Sequence, residues 1–231
     1  MLLISIGGCL APMSSTAMEK VMSLLNIDAF RKTPLQIDPF EHLTVSGFVH
    51  EDQIEAILAS YPGIEKGGSY PLAALDYGPM FKKLCDELQG DAMRDAFADK
   101  FDMDLTGRPT TLTVRGHCRP KDGQIHTDSD SKLITVLIYL NETWDAEGGR
   151  LRLLRSADSL EDAFAEVPPG PGSMVCFRNR ENAWHGHGPF DGVRRVLQLN
   201  WVTDEAAVRQ SERRHRRSAF WKKMNPFGRV A

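Results

Sequence analysis

Short β-rich runs separated by turn residues fill the second half of this 231-residue chain, and they restrict its fold more than any other feature. Eight such runs lie at 111–115, 124–126, 132–140, 150–154, 164–167, 173–178, 183–185 and 194–202. Gly, Pro, Asn and Asp cluster between them, as in tight turns. Strands at this spacing are typical of an antiparallel sandwich or jelly roll rather than of βαβ units.

The first half of the chain has a different pattern. Apolar residues recur at helical spacing over 51–60, over 79–88 and over 91–101, after a β-rich run at 43–48. A final helix is predicted from Asp204, a suitable N-cap, to about Met224. We therefore expect an α+β protein with a mainly β core: a jelly roll over about 110–202, flanked by N-terminal helices and a C-terminal helix.

The start of the chain is apolar but carries no positive n-region, and it is too short to span a bilayer. We predict an N-terminal extension over residues 1–35 that need not be ordered, followed by a single domain over residues 36–231. One domain suits this length.

Composition excludes few function classes, but it limits the kinds of binding partner that we expect. The content of 42% hydrophobic and 26% charged residues is ordinary for a soluble globular protein. A net charge of −3 gives no reason to expect nucleic acid or an anionic membrane as a partner. The basic run at 213–217 would wrap all round a helix, which indicates a solvated helix end.

The four cysteines, Cys9, Cys85, Cys118 and Cys176, are widely separated and form no CxxC pair. This spacing argues against a disulfide framework and against a cysteine zinc site. It favours a reducing compartment, and we expect a cytoplasmic protein.

One short motif carries the chemistry. His126 and Asp128 are two residues apart in a predicted strand, so both side chains can reach one metal ion. His185 and His187 are the candidates for a third ligand. Two imidazoles and one carboxylate leave coordination positions open, as non-haem Fe(II) oxygenases require. Catalytic zinc is the main alternative metal.

Four longer stretches resemble the prolyl-hydroxylase-like branch of the Fe(II)/2-oxoglutarate-dependent oxygenases, and they occur in the order found in that family. They are RPKDGQIHTDSDSKLITVLIYLN (119–141), GGRLRLL (148–154), PPGPGSMVCF (168–177) and WHGHGPFDGVRRVLQLNWV (184–202). PFEHLTVSGFVHEDQIEAI (39–57) also resembles the segment that opens these domains. The resemblance implies a double-stranded β-helix as the jelly roll.

The resemblance also implies roles for individual residues. The family pattern H-x-x-x-P, here ending at Pro189, favours His185 over His187 as the distal metal ligand. A basic residue about ten positions later pairs with the far carboxylate of 2-oxoglutarate in relatives. Arg195 fits this offset best, and Arg194 is the alternative. Alternation in a strand points these two side chains in opposite directions, so only one of them can bind the carboxylate.

Two further positions need an assignment. Relatives place a tyrosine hydroxyl against the same carboxylate, and Tyr139 occupies that part of the sequence. A buried structural tyrosine is the alternative role for Tyr139. Asp130 could compete with Asp128 for the metal, but it lies about 13 Å along an extended strand from His126. Asp128 is therefore the better ligand.

The resemblance predicts an enzyme that uses Fe(2+), 2-oxoglutarate and O₂, with ascorbate as an optional reductant. It would hydroxylate a protein side chain or a small molecule and release succinate and CO₂. Substrate entry is expected over the loop at 144–149 and the N-terminal helices. The alternative is a cupin-like metal-binding jelly roll without 2-oxoglutarate turnover, either a binding module or a zinc enzyme, which would have no use for a buried arginine after the last histidine.

Overall fold

The computed structural model describes residues 23–224, with side chains through residue 214. Residues 1–22 and 225–231 lie outside this description. The helices are α1 (Ile27–Lys32), α2 (Glu51–Ala59), α3 (Pro79–Leu88), α4 (Asp91–Phe101) and α5 (Glu205–Met224). The strands are β1 (His42–Val45), β2 (Tyr70–Pro71), β3 (Thr110–Cys118), β4 (Lys132–Tyr139), β5 (Leu151–Leu154), β6 (Ala163–Val167), β7 (Met174–Arg178), β8 (Trp184–His187) and β9 (Gly192–Val202).

The strands form two antiparallel sheets. The major sheet has six strands in the order β1-β7-β4-β9-β3-β2, with β9 between β3 and β4. The minor sheet has three strands in the order β6-β5-β8. Non-consecutive neighbours in both sheets show that the chain crosses between the two layers. The expected α+β fold with a jelly-roll core is confirmed.

The predicted strand at 124–126 is reduced to a single β-bridge. His126 N donates to His185 O and His185 N donates to His126 O, each over 3.0 Å. No regular strand precedes or follows this bridge in the chain between β3 and β4. The loop before β4 is therefore attached to the outer edge of β8, where it extends the minor sheet by one residue pair.

Alternation along the strands sorts side chains into two apolar clusters. One lies between the major sheet and helices α1–α4, and it includes Leu197, Leu199 and Trp201 of β9. The other lies between the two sheets and includes Val196. The fold thus has three layers, with helices on one face of the major sheet and the minor sheet on the other.

The predicted helices form where the apolar periodicity places them. Helix α3 begins with Pro79 in its first turn and buries one face, and α4 buries Met93, Ala96, Phe97 and Phe101. The Phe97 ring contacts the Trp201 ring at a centroid distance of 4.9 Å, which joins the helical layer to β9. Asp204 caps α5 by accepting a hydrogen bond from Ala207 N over 2.9 Å.

The ordered domain begins earlier than residue 36, where the sequence suggested its boundary. Helix α1 lies within the predicted extension, with Asn26 accepting a capping hydrogen bond from Ala29 N. Phe30 is fully buried and stacks on Phe97 at 4.3 Å. Six residues carry too weak a periodicity to be recognised as a helix, and it is tertiary packing that stabilises this one. Residues 1–22 of the predicted extension lie outside the described residues.

Across residues 23–224, none of the helices combines the length and the apolar character that a membrane span requires.

The packing of α1 predicts a large effect of truncating its buried ring. We expect Phe30→Ala to lower the free energy of unfolding by about 3–5 kcal/mol, because it leaves a cavity between α1 and α4. Ile37→Ala is the control, since Ile37 is 75% exposed and its loss should change stability by less than about 0.5 kcal/mol. Chemical denaturation measures both values. Equal stability of the two variants would show that residues 23–35 are not part of the cooperative domain.

Candidate active site

Three of the predicted ligands converge on one point. Ligand atoms of His126, Asp128 and His185 all lie within 4.8 Å of one another. His126 and Asp128 come from the loop before β4, and His185 comes from β8. Asp130 is exposed and does not belong to this group. The arrangement brings together two imidazoles and one carboxylate from two chain segments.

Hydrogen bonds to the backbone orient both imidazoles. His126 Nδ1 lies 2.8 Å from the carbonyl oxygen of Gln124, and His185 Nδ1 lies 3.0 Å from that of Ala183. Because a carbonyl oxygen can only accept, each Nδ1 carries the proton, and each Nε2 keeps a free lone pair. Such backbone partners commonly fix the tautomer of metal-binding histidines.

Burial keeps His185 neutral. Desolvation lowers its pKa to about 4, although the Asp128 carboxylate acts in the opposite direction. At neutral pH this imidazole needs to lose no proton before it binds a metal ion.

Asp128 is held in its ionised form. Burial alone would raise its pKa, but the Lys132 ammonium, His185 and the hydrogen bonds from Lys132 and Thr135 outweigh burial and bring the pKa to about 2. Lys132 Nζ lies 2.6 Å from one carboxylate oxygen, and the Thr135 hydroxyl donates to the other. Thr135 also lies 3.1 Å from Asn200 Oδ1, which extends the network onto β9.

His187 lies in the same cavity but outside the group of three. Its Nδ1 is 2.8 Å from the carbonyl oxygen of Gly188, and its Nε2 is 3.9 Å from Cys118 Sγ. Its backbone N donates to the carbonyl oxygen of Gly123 over 2.8 Å. Gly123 has a φ of +84°, and a Cβ there would overlap the His187 ring. His187 therefore fixes the loop that carries His126.

A cavity of about 350 Å³ surrounds the triad, which is within the range of about 300–1,000 Å³ for small-molecule sites. The floor of the cavity is the face of the major sheet that lies towards the minor sheet. On this face the strand register aligns polar and apolar side chains in two rows. Leu137, Gln198 and Thr113 form one row across β4, β9 and β3. Thr135, Asn200 and Thr111 form the next.

The cavity is lined by Arg194 and not by Arg195, so the geometry favours Arg194 over the residue that the sequence analysis preferred. Arg194, Val196, Gln198 and Asn200 alternate along β9 and face the cavity. Arg194 is 5% exposed, and its Nε donates to the carbonyl oxygen of Gly149 over 2.7 Å. Arg195 points to the opposite face, that of Leu197, which packs against the helices. The offset from the histidine could not separate neighbours one residue apart.

Tyr139 lies behind Arg194 rather than in the cavity wall. Its ring is fully buried, and its hydroxyl oxygen accepts a hydrogen bond from Arg194 Nη2 over 3.4 Å. The guanidinium carbon lies 5.3 Å from the ring centroid, so the ring and the cation are also stacked. Burial raises the pKa of the Tyr139 hydroxyl, and the charge of Arg194 partly opposes that rise.

Three cations in the site were missed from the sequence: Arg115 and Lys132 line the cavity, and Arg214 of α5 is exposed at its mouth. Arg115 could have been found, since polar residues at 111, 113 and 115 alternate with Leu112 and Val114. Lys132 and Arg214 have no comparable local signal.

The expected route of substrate entry is also corrected. Among the described residues that line the cavity, none belongs to α1–α4 or to the loop at 144–149. The helices pack on the far face of the major sheet. The loop ends at Gly149, whose carbonyl oxygen anchors Arg194. Ser69, the 123–132 loop and α5 instead contribute residues to the lining of the cavity.

The donor set fits a divalent transition metal. Two imidazole nitrogens and one ionised carboxylate on one side of an ion leave room for further ligands from the cavity. Within the described residues, these three form the one cluster of histidine, cysteine and carboxylate groups close enough to share an ion.

Comparison with known proteins gives a family match for one segment of the chain. Residues 115–203, which carry most of the site, match the family model described as the 2OG-Fe(II) oxygenase superfamily, and this match supports the resemblance at the level of the superfamily. Comparison with curated proteins gives no match.

Several solved structures are similar to this chain. One is a prolyl-4-hydroxylase of Pseudomonas putida, with 17% identity and a TM-score of 0.49 over 77% of this chain and 93% of that one. Another is a prolyl 4-hydroxylase from Phytophthora capsici, with 16% identity and a TM-score of 0.49 over 71% of this chain and 59% of that one. A third is a viral collagen prolyl hydroxylase from Paramecium Bursaria Chlorella virus-1, with 14% identity and a TM-score of 0.49 over 70% and 96%.

The two buried histidines predict how the stability of the metal-free protein depends on pH. Burial lowers the pKa of His185 and of His187 from 6.5 to about 4, so the unfolded chain takes up protons more readily. Stability should therefore fall as the pH drops from about 6.5 towards 4, by about 1.4 kcal/mol per pH unit for each histidine. His187→Asn should roughly halve this slope in chemical denaturation series. An unchanged slope would mean that His187 titrates normally in the folded protein.

Proposed function

We propose that this enzyme, whose residues 115–203 are those of the 2OG-Fe(II) oxygenase superfamily, hydroxylates a substrate in the cavity beside His126, Asp128 and His185. The cosubstrates are 2-oxoglutarate and O₂, and the products include succinate and CO₂. The observation that carries the proposal is Arg194, which is buried in the same cavity and forms no ion pair with any carboxylate of residues 23–214. A metal site without a dicarboxylate cosubstrate would have no need for such a cation.

The three ligands would hold Fe(2+) through two imidazole Nε2 atoms and one carboxylate oxygen. Bound iron supplies O₂ activation coupled to decarboxylation of 2-oxoglutarate, with ascorbate as an optional reductant. Thr135 and Lys132 keep the Asp128 carboxylate ionised and oriented. Their hydrogen bonds reduce the rotational freedom that the side chain would otherwise lose on binding metal.

Arg194 is proposed to bind the distal carboxylate of 2-oxoglutarate. A guanidinium matches a carboxylate with two parallel hydrogen bonds. Its Nε is already engaged by Gly149 O, so the remaining N–H groups can turn to the ligand. Tyr139 is proposed as a positioning residue that holds the Arg194 fork from behind. The role of Arg194 replaces the one that the sequence analysis assigned to Arg195.

The apolar part of the cavity would limit water near the reacting atoms. Leu137, Leu151 and Val196 line the space around the triad. Excluding water strengthens the electrostatic contacts inside the site and protects reactive species from side reactions. The substrate is proposed to be a small molecule or a side chain that reaches into this space.

A reducing compartment such as the cytoplasm is proposed for this enzyme. Cys85, Cys118 and Cys176 are free and buried, so no disulfide stabilises the described part of the fold.

Anaerobic spectroscopy tests the metal and the cosubstrate together. Fe(II) and 2-oxoglutarate should produce a metal-to-ligand charge-transfer band, and exposure to O₂ should release succinate. We expect His126→Ala and Asp128→Ala each to abolish the band, because each removes a ligand. Asp130→Ala is the matched control and should retain it. A wild-type protein without band or succinate would support the zinc-enzyme or binding-module alternative instead.

The two neighbouring arginines provide an internal test of the cosubstrate site. Arg194→Gln should weaken 2-oxoglutarate binding by about 10- to 100-fold, as expected for the loss of a charge-assisted contact of about 1.5–3 kcal/mol. Arg195→Gln removes the same charge from the opposite face of β9 and should change affinity by less than about threefold. Titration of the charge-transfer band measures both dissociation constants. The reverse order would refute the assignment.

A further inference from the structure

Arg115 lies in the cavity but has no task in the chemistry proposed above. It is on β3 opposite Val196 of β9, and it shares the inner face of the sheet with Thr113. Arg194 is two residues from Val196 on the same face. The two guanidinium groups therefore lie near each other in one cavity, although they come from different strands.

Arg115 has no neutralising ion pair among the residues whose side chains the structure describes. Among residues 23–214, no carboxylate forms an ion pair with its guanidinium, and no side-chain hydrogen bond from it is formed. Asp122 is the acidic group that acts on it electrostatically, and Asp122 is engaged by Arg119 over 2.7 Å. Burial and the neighbouring charge of Arg194 lower the pKa of Arg115. Arg115 is partly buried, and a partly desolvated cation beside a like charge is stabilised when an anion joins it.

The charges around the cavity leave a positive excess. Arg115, Lys132, Arg194 and Arg214 line it, and Asp128 is the single acidic residue among the described residues that line it. Fe(2+) and the two carboxylates of 2-oxoglutarate would cancel each other. Lys132 is paired with Asp128, and Arg194 is assigned to 2-oxoglutarate. Arg115 then remains as the cavity-lining cation without an assigned partner among the described residues of β3, β4 and β9.

Arg115 comes from a different strand than the two residues proposed to clamp 2-oxoglutarate. Tyr139, Val196 and Arg115 form one row across β4, β9 and β3, so Val196 lies between Arg115 and the tyrosine that supports Arg194. Arg115 faces the side of the cavity that Ser69 lines and where α5 packs on β2 and β3. Thr113 and Gln198 in the next row offer neutral hydrogen-bonding groups beside it.

We propose that Arg115 forms a second anion subsite in the cavity, which binds a carboxylate or phosphate group of the substrate that is hydroxylated. The primary substrate is then an anionic small molecule, or an anionic side chain, that enters past α5. This inference rests on the proposed function, since it presumes that Arg194 is occupied by 2-oxoglutarate.

Relaxation measurements on the loaded protein test the subsite directly. The protein is saturated with Mn(II) and 2-oxoglutarate under anaerobic conditions and then titrated with inorganic phosphate or, separately, with acetate. Paramagnetic broadening of the phosphorus or methyl resonance reports an anion bound near the metal. We expect saturable broadening with at least one anion in the wild type, and the stronger of the two identifies the kind of group recognised.

Variants separate Arg115 from the other cations. Arg115→Gln should weaken the anion by at least about tenfold, whereas Arg115→Lys, which keeps the charge, should weaken it less. Arg209→Gln removes an exposed charge from α5 and should have no effect. Arg115→Gln should change the affinity for 2-oxoglutarate, measured from the charge-transfer band, by less than about threefold. Circular dichroism checks that each variant is folded. If Arg115→Gln does not fold, the comparison of Arg115→Lys with the wild type still tests the anion subsite.

Several results would overturn the inference. Broadening that is absent in the wild type, or equal in Arg115→Gln, excludes an anion subsite at Arg115. A loss of 2-oxoglutarate affinity in Arg115→Gln as large as that in Arg194→Gln would mean that both arginines bind one carboxylate of the cosubstrate. Absence of the charge-transfer band in the wild type would instead overturn the proposed function. That outcome is distinguishable from a negative anion titration, because the band and the broadening are measured independently.

Discussion

The pairing of β9 with both β3 and β4 is the constraint on which the rest of this structure depends. Because successive side chains of a strand point to opposite faces, one strand here serves two purposes. Leu197, Leu199 and Trp201 pack against the helices, whereas Arg194 and Asn200 face the cavity. The floor of the cavity is thus the reverse side of the sheet that borders the main apolar core.

The candidate metal ligands are brought together by a second backbone contact of smaller extent. His126 lies in a loop, and two hydrogen bonds to His185 hold that loop against β8. Gly123 and His187 complete the attachment at the start of the loop. A triad assembled from a loop and a strand in this way joins the loop before β4 to the minor sheet at the site.

Local pattern predicted much of the fold because the relevant forces act over short distances along the chain. Helices α2, α3 and α4 follow from apolar spacing, and α5 follows from the cap at Asp204. Helix α1 was missed, since its stability comes from the contact of Phe30 with Phe97, far apart in sequence. The two-residue strand β2 has too little pattern to be recognised and is defined by its pairing with β3.

By itself the sequence determined which types of group are available and how they are spaced. These are an antiparallel β core, a histidine and a carboxylate two residues apart, and a pair of histidines several strands later. It also determined that Arg194 and Arg195 must face opposite ways, since alternation is a local property of the backbone. Only the tertiary structure decided which of them faces the cavity, because that depends on which side of β9 the helices cover. The same holds for Arg115 and Lys132. Their charges act in the cavity because the tertiary structure brings them together from separate strands.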